Sequence, residues 1–243
     1  MYLALGATKI VAYNISSTSN LTHVIGYYTR KGVLDLFQWD LPKHISTHYF
    51  AQASTIGDCI YRYMYKTKYL ALVNLDEFFI PLHKESLLDV LSSVNISHVG
   101  TLQFTNVFYF PNSNGSNLVR LNRTLSKLNS VILSYTLKEL HPSCQGRSKL
   151  IVQPSLVLRA YVHNVKEQIQ GAKIYTIPEN LATMHHFRKG NGRDRKTTYD
   201  AHVSRWFDLI VERLNKARSE IGEEHSEVKM EELMNTRKTV LKM

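Results

Sequence analysis

Two cysteines, Cys59 and Cys144, are too few for a metal cage, although they suffice for one disulfide. No run of about 18 apolar residues occurs, so no segment reads as a membrane-spanning helix. Zinc-ligand spacing, a P-loop and a dinucleotide fingerprint are all missing. Acidic residues are in the minority, 20 against 30 Lys and Arg, for a formal net charge of +10. Such a balance attracts polyanions. The positive charge is scattered, however, and its densest patch, 188–196, contains glycine and reads as a loop. A solvated loop and a nucleotide-diphosphate clamp both fit that patch better than a duplex-binding element does. No nucleic-acid partner is expected.

What is present is an ordinary folded composition, 44% hydrophobic and 21% charged, in a length that suits one large α/β domain. Lys9–Asn14 reads as a buried strand. A serine cluster then caps a helix carrying Leu21, Val24, Ile25 and Tyr28, which Gly32 ends. A strand over Val33–Trp39 and a helix over His48–Lys66 follow. This alternation predicts βαβ units over a mostly parallel central sheet with flanking helices. Beyond Gly100, strands are expected over Thr101–Phe110, Lys149–Leu158 and Ala172–Ile177, with histidines at strand ends in 161–165 and 184–188. Val203, Trp206, Phe207, Ile210, Val211 and Leu214 mark an amphipathic helix. Residues 1–218 are expected to form the α/β domain and 219–243 a charged helical tail.

The most informative stretch is Tyr69–Pro81, an apolar strand that ends in Asn74, Asp76 and Glu77, then turns aromatic and stops at proline. Oxygen-bearing groups two residues apart share a face of an extended strand. At the carboxyl end of a sheet strand, where α/β folds bind ligands, they suit a hard divalent cation that also holds phosphate oxygens. The alternative is an acidic strand end that caps the next helix or meets a lysine. Phe78, Phe79, Phe108 and Tyr109 read as core. Five N-glycosylation sequons start at Asn14, Asn20, Asn95, Asn114 and Asn122, which favours a secretory lumen, where a disulfide also survives.

Several of these stretches, in this order, resemble glycosyltransferase family 92: Leu5–Asn14, Tyr27–Val33 with Trp39, Gln52 with Cys59–Arg62, Leu72–Pro81, Lys149–Pro154 with Val162–Val165, and His186–Arg188. The resemblance implies a GT-A-type nucleotide-sugar-binding fold and inverting transfer of a sugar, typically galactose from UDP-galactose, with a divalent metal such as Mn2+. It implies a Golgi setting and a glycan acceptor, such as fucose on an N-glycan. Carried over by position, Asp76 is the metal ligand, His186 a further ligand in competition with His185, Glu77 a supporting group near the donor, and Arg188 a diphosphate contact. Asn74 stands where the family has its first aspartate, and an amide brings no charge to the site. That change favours a second reading, a catalytically impaired member that binds a glycan or a partner. The family also places a strand and a membrane anchor before the point where this chain begins, so the fold is expected to be incomplete at its N-terminus, leaving a sheet neighbour unpaired. The catalytic base is unassigned among Glu139, Glu179, Asp194 and Asp200. His163 and Asn164 either shape the acceptor side or close a turn.

Overall fold

The computed structural model describes residues 1–42, 47–84, 86–94, 97–111, 131–143, 146–189, 196–200, 202–221 and 239–242. The chain opens as β1 (Lys9–Asn14), α1 (Ser19–Arg30), β2 (Leu34–Gln38) and α2 (Gln52–Tyr63). The Thr18 hydroxyl accepts the Leu21 N–H at the start of α1. Gly32, at φ +67°, lets the Val33 N–H return to the Tyr28 carbonyl at its end. β3 (Leu70–Leu72), β4 (Glu77–Pro81) and α3 (Leu87–Ser93) come next, and α3 opens with a Ser86–Asp89 capping box. Then follow β5 (Val99–Phe104), β6 (Asn106–Phe110), α4 (Val131–Ser134), β7 (Leu137–Glu139), β8 (Lys149–Val152), β9 (Val157–Ala160) and β10 (Val165–Gln168). The chain ends with β11 (Lys173–Thr176), β12 (Ala182–Phe187), β13 (Thr197–Tyr199), α5 (Phe207–Ile221) and β14 (Thr239–Lys242).

The result is an α/β molecule with several sheets and flanking helices. The largest sheet has seven strands in the order β11-β5-β8-β3-β14-β1-β2. The predicted β1–α1–β2 unit is present, with β1 and β2 parallel. The sheet as a whole is mixed, because β8 and β14 run against the other strands and only the β1/β2 and β5/β11 pairs are parallel. β14 lies between β1 and β3 and pairs antiparallel with both. Of the segment read as a tail, 219–221 complete α5, 222–238 fall outside the described residues, and Thr239–Lys242 form β14.

A second sheet of five strands runs β13-β7-β6-β12-β4. Two stretches read as single strands are divided between the sheets: 69–81 splits into β3 and β4, and 101–110 splits at Thr105 into β5 and β6. The Thr105 carbonyl leaves the first sheet to accept the Met184 N–H of β12. Each sheet needs an apolar cover, and one continuous strand could not serve both.

Side chains alternate across the five-stranded sheet. On one face Phe78, His185, Phe187 and Tyr109 pack against Val203, Trp206 and Ile210 from the α5 region, the amphipathic segment read from sequence. The other face carries Phe79 and Met184 into the core shared with Leu102, Phe104 and Ile151 of the large sheet. The four aromatics assigned to the core, Phe78, Phe79, Phe108 and Tyr109, are all buried.

His185 is buried among these aromatics, stacked on the Tyr109 ring at 4.2 Å, and burial pushes its pKa down from 6.5 to about 3. The unfolded chain therefore binds a proton near pH 6.5 that the folded protein refuses until far lower pH, so stability falls on acidification through that window. Between pH 6.5 and about pH 5, urea unfolding of His185→Gln should depend on pH less steeply than wild type, by up to about 1.4 kcal/mol per pH unit. Equal slopes would show that His185 takes up its proton in the folded state.

Candidate functional site

The site forms where the two sheets meet. β3 ends in the large sheet, and the chain turns through 73–76 before β4 begins in the small one. The turn is closed from both ends: the Glu77 N–H donates to the Asn74 carbonyl at 3.1 Å, and the Asn74 N–H donates to Glu77 Oε2 at 2.8 Å. The Tyr2 hydroxyl reaches the Asn74 and Glu77 carbonyls at 2.8 and 3.1 Å. Burial, reinforced by the charges of Glu77 and Asp76, pushes the Tyr2 phenol well above its ordinary range, so it stays a donor.

Glu77 is almost wholly buried and has a cationic partner from the other sheet. Lys149, the first residue of β8, brings Nζ to 2.9 Å from Glu77 Oε2, and both side chains are 1% exposed. Lys149 is placed there by the pairing of β8 with β3, in which Leu150 opposes Leu72. A buried charge demands such a partner.

His186 stands opposite Glu77 in the β12–β4 ladder. Its Nδ1 is 3.3 Å from Glu77 Oε1 and its Nε2 is 3.3 Å from Asp76 Oδ2. The Phe187 N–H donates to the Asp76 carbonyl at 2.9 Å and fixes Asp76 against the same strand. Asp76, Glu77 and His186 each offer a ligand atom, and these atoms lie within 4.8 Å of one another. The three do not play equal parts. Glu77 Oε2 is committed to Lys149 and the Asn74 N–H, and its Oε1 faces His186 Nδ1. A proton on Nδ1 donated to Glu77 leaves the Nε2 lone pair directed toward Asp76, as when a carboxylate orients a metal-bound histidine. Asp76 and His186 are 20% and 17% exposed, so the outward donors are a carboxylate and an imidazole. That donor set is compatible with a divalent cation, whose remaining positions substrate oxygens and water would fill.

The structure separates the predicted residues. Asp76, Glu77 and His186 come together. Asn74 is beside them in the turn, but its side-chain carbonyl accepts the Gln52 Nε2–H at 2.9 Å from the start of α2. His185, the competitor of His186, lies on the opposite face of the sheet. His163 Nδ1 pairs with the Ser148 carbonyl at 2.9 Å, and burial, then the nearby Lys149 charge, lowers its pKa. The Tyr161 N–H donates to the Asn164 carbonyl, so this segment closes a turn.

Arg188 is exposed and follows Phe187 out of β12, with its guanidinium 5.1 Å from the Phe108 ring centre. Phe108 itself opposes His186 in the β6–β12 ladder and meets it edge to face at 5.1 Å. Two residues not singled out as ligands join this group. Arg147 lies over the same ring at 4.2 Å, and Lys149 supports Glu77. The Arg147-Ser148-Lys149 alternation at the start of a predicted strand is the sequence signal that could have drawn attention to both.

The four carboxylates considered as base are also sorted. Glu139 lies on the His186 face and accepts the Phe108 N–H at 2.8 Å. Asp200 lies on the other face, where it accepts the Tyr109 hydroxyl at 2.9 Å. Burial alone would raise the Asp200 carboxyl, but the His202 N–H and the Tyr109 hydroxyl outweigh it and its pKa falls. Glu179 is exposed in the turn before β12, at the opposite end of that strand from His186. Asp194 falls outside the described residues, as do Cys144, Asn95, Asn114 and Asn122. Cys59 is buried in α2, and Asn14 ends β1 with its amide donating to Gln38 at 3.2 Å.

Removing one member of the Lys149–Glu77 pair leaves the other charge buried. Lys149→Met is expected to lower the unfolding free energy by about 3–5 kcal/mol. Lys149→Met combined with Glu77→Gln should recover a good part of that loss. Additive losses in the double-mutant cycle, measured by urea unfolding, would show that the two side chains act independently.

The sequence profile of glycosyltransferase family 92 matches residues 1–237. No curated protein sequence gives a significant match. The family match takes in both sheets up to α5 and every residue of the site, from Asn74 to Arg188. The chain therefore belongs to glycosyltransferase family 92.

Proposed function

We propose that this protein is a metal-dependent inverting glycosyltransferase that moves galactose from UDP-galactose to a hydroxyl of a glycan acceptor, such as fucose on an N-glycan. The observation that carries the reading is the 3.3 Å approach of His186 Nε2 to Asp76 Oδ2, with Glu77 holding the far side of the imidazole, in a family 92 chain. Asp76 and His186 would hold the cation, with Mn2+ the ion expected for an oxygen-rich site that also uses imidazole. Bound there, a divalent cation neutralises the charge that builds on the departing diphosphate. Asp76 and His186 fix where the diphosphate end of the donor lies, and Arg188 adds a guanidinium fork for its oxygens. Glu77 keeps the imidazole in one orientation, and Lys149 keeps Glu77 in place. In the transfer the acceptor oxygen bonds to the anomeric carbon as the bond to the diphosphate breaks. The acceptor proton passes to a carboxylate base. The setting consistent with five sequons and this chemistry is the Golgi lumen.

A second reading, a non-catalytic glycan- or partner-binding member, is favoured by one observation. Asn74 supplies an amide where a second carboxylate is expected, and its carbonyl is engaged with Gln52. Calorimetric titration of UDP separates the two. Binding that strengthens at least about tenfold with Mn2+, and loses that increment in Asp76→Ala, is the expected outcome for the transferase. Folded protein whose UDP affinity is the same with Mn2+ and with chelator would leave the non-catalytic reading in possession.

A further inference from the structure

The face of the five-stranded sheet that carries His186 continues past the metal-binding group. Glu77 on β4 opposes His186 on β12, and His186 opposes Phe108 on β6. The β6–β7 ladder pairs Tyr109 with Lys138 and Phe110 with Leu137, and just beyond it the Glu139 carboxylate accepts the Phe108 N–H at 2.8 Å. Directly opposed residues share a face. Glu77, His186 and Phe108 therefore form one row across three strands, about 5 Å apart by strand spacing, and Glu139 of β7 extends it through its bond to the Phe108 N–H. The row has a cation-binding end and, two strands away, a buried carboxylate.

Arg147 bridges that carboxylate and the middle of the row. Its Nη2 is 3.2 Å from Glu139 Oε1 and its Nη1 is 3.4 Å from Oε2, a fork-to-fork pairing. Its guanidinium lies 4.2 Å from the Phe108 ring centre. Glu139 is 3% exposed and anchored by the Phe108 N–H, whereas Arg147 is 25% exposed. The carboxylate is thus the fixed partner and the guanidinium the one that reaches solvent. Arg188 approaches the same ring from its own strand at 5.1 Å, and no carboxylate among the described residues pairs with it. Aromatic stacking and a buried carboxylate leave a guanidinium little rotational freedom, so it loses little entropy when it takes a second anion. Arg147, held in this way, and the uncommitted Arg188 on the same ring, next to Asp76 and His186, offer a receptor for phosphate oxygens.

We infer that Arg147 and Arg188, set about Phe108, form an oxyanion clamp that grips the diphosphate of the donor without metal, with Glu139 as the positioning residue for Arg147. The inference rests on the donor-site reading above and adds to it a second, metal-independent hold on the leaving group. It also answers the charge missing at Asn74: part of the diphosphate's charge is met by fixed guanidiniums rather than by a cation that a second carboxylate would have bound more tightly.

The test is titration of inorganic pyrophosphate and of UDP into the full chain in chelator, then in Mn2+. In chelator, wild type should bind both ligands, with affinity that falls as salt rises. Arg188→Gln should weaken chelator-state binding about tenfold or more, the effect of one charge-assisted contact. Arg147→Gln alone strands Glu139, so it is made together with Glu139→Gln, which keeps the pair neutral. That double variant should lose binding to a similar degree while its melting temperature stays within a few degrees of wild type. Asp76→Ala should remove the Mn2+ increment. No pyrophosphate binding by folded wild type in chelator, or wild-type affinity in the Arg147 variant, overturns the clamp. Metal-independent binding that needs Arg147, with nothing gained from Mn2+, would instead sustain the clamp and sink the metal-dependent transferase. Binding seen only with Mn2+ and indifferent to Arg147 would do the reverse.

Discussion

The buried contact between Lys149 and Glu77 is the constraint on which the rest of the site depends. It joins the first residue of β8 in the large sheet to the first residue of β4 in the small one. A carboxylate removed from water costs several kcal/mol unless it is paired and its remaining lone pairs are satisfied. Glu77 meets that demand with the ammonium, the Asn74 N–H and the His186 ring. Each of the three fixes something else in turn. The ammonium ties β8 of one sheet to β4 of the other, the N–H closes the turn that presents Asp76, and the ring places Nε2 beside Asp76. A feature that reads as a cation ligand is, in the folded chain, chiefly the post from which the outward donors hang.

The small sheet serves two purposes because its side chains alternate. One face is covered by the α5 region and holds His185, Tyr109 and Phe187 in an aromatic core. The other face has Phe79 and Met184 in the core at one end and His186, Phe108 and Glu139 around the site at the other. Neighbouring histidines in one strand therefore have opposite fates. His185 is kept neutral by burial, while His186 is left partly open between two carboxylates. A one-residue slip of β12 would exchange them and dismantle both the core and the site, so the register is held by the packing of both faces at once.

Charge follows the same logic. A net charge of +10 spread over the chain says little about a ligand. Folding gathers Lys149, Arg147 and Arg188 from two separate stretches around Phe108 and Glu77, and it supplies a buried carboxylate for two of the three. What remains directed outward is a compact group of guanidiniums beside a carboxylate and an imidazole.

The β1–α1–β2 unit, the amphipathic α5 segment and the acidic end of the 69–81 stretch were legible from the chain because each rests on local signals: periodicity, caps and a breaker. The family was legible for a related reason, since its matching stretches keep their order along the sequence. Local signals do not say which sheet a strand joins, so the division of 69–81 and of 101–110 between two sheets, and the mixed direction of the large sheet, came only with the fold. They also cannot choose between His185 and His186, since that depends on the pairing of β12 with β4 and β6, more than 70 residues away. Sequence determined the chemistry available at the strand end. Tertiary structure decided which of those groups is buried in an ion pair, which faces outward, and which distant arginine joins them, because burial and cross-strand register are properties of the assembled sheets.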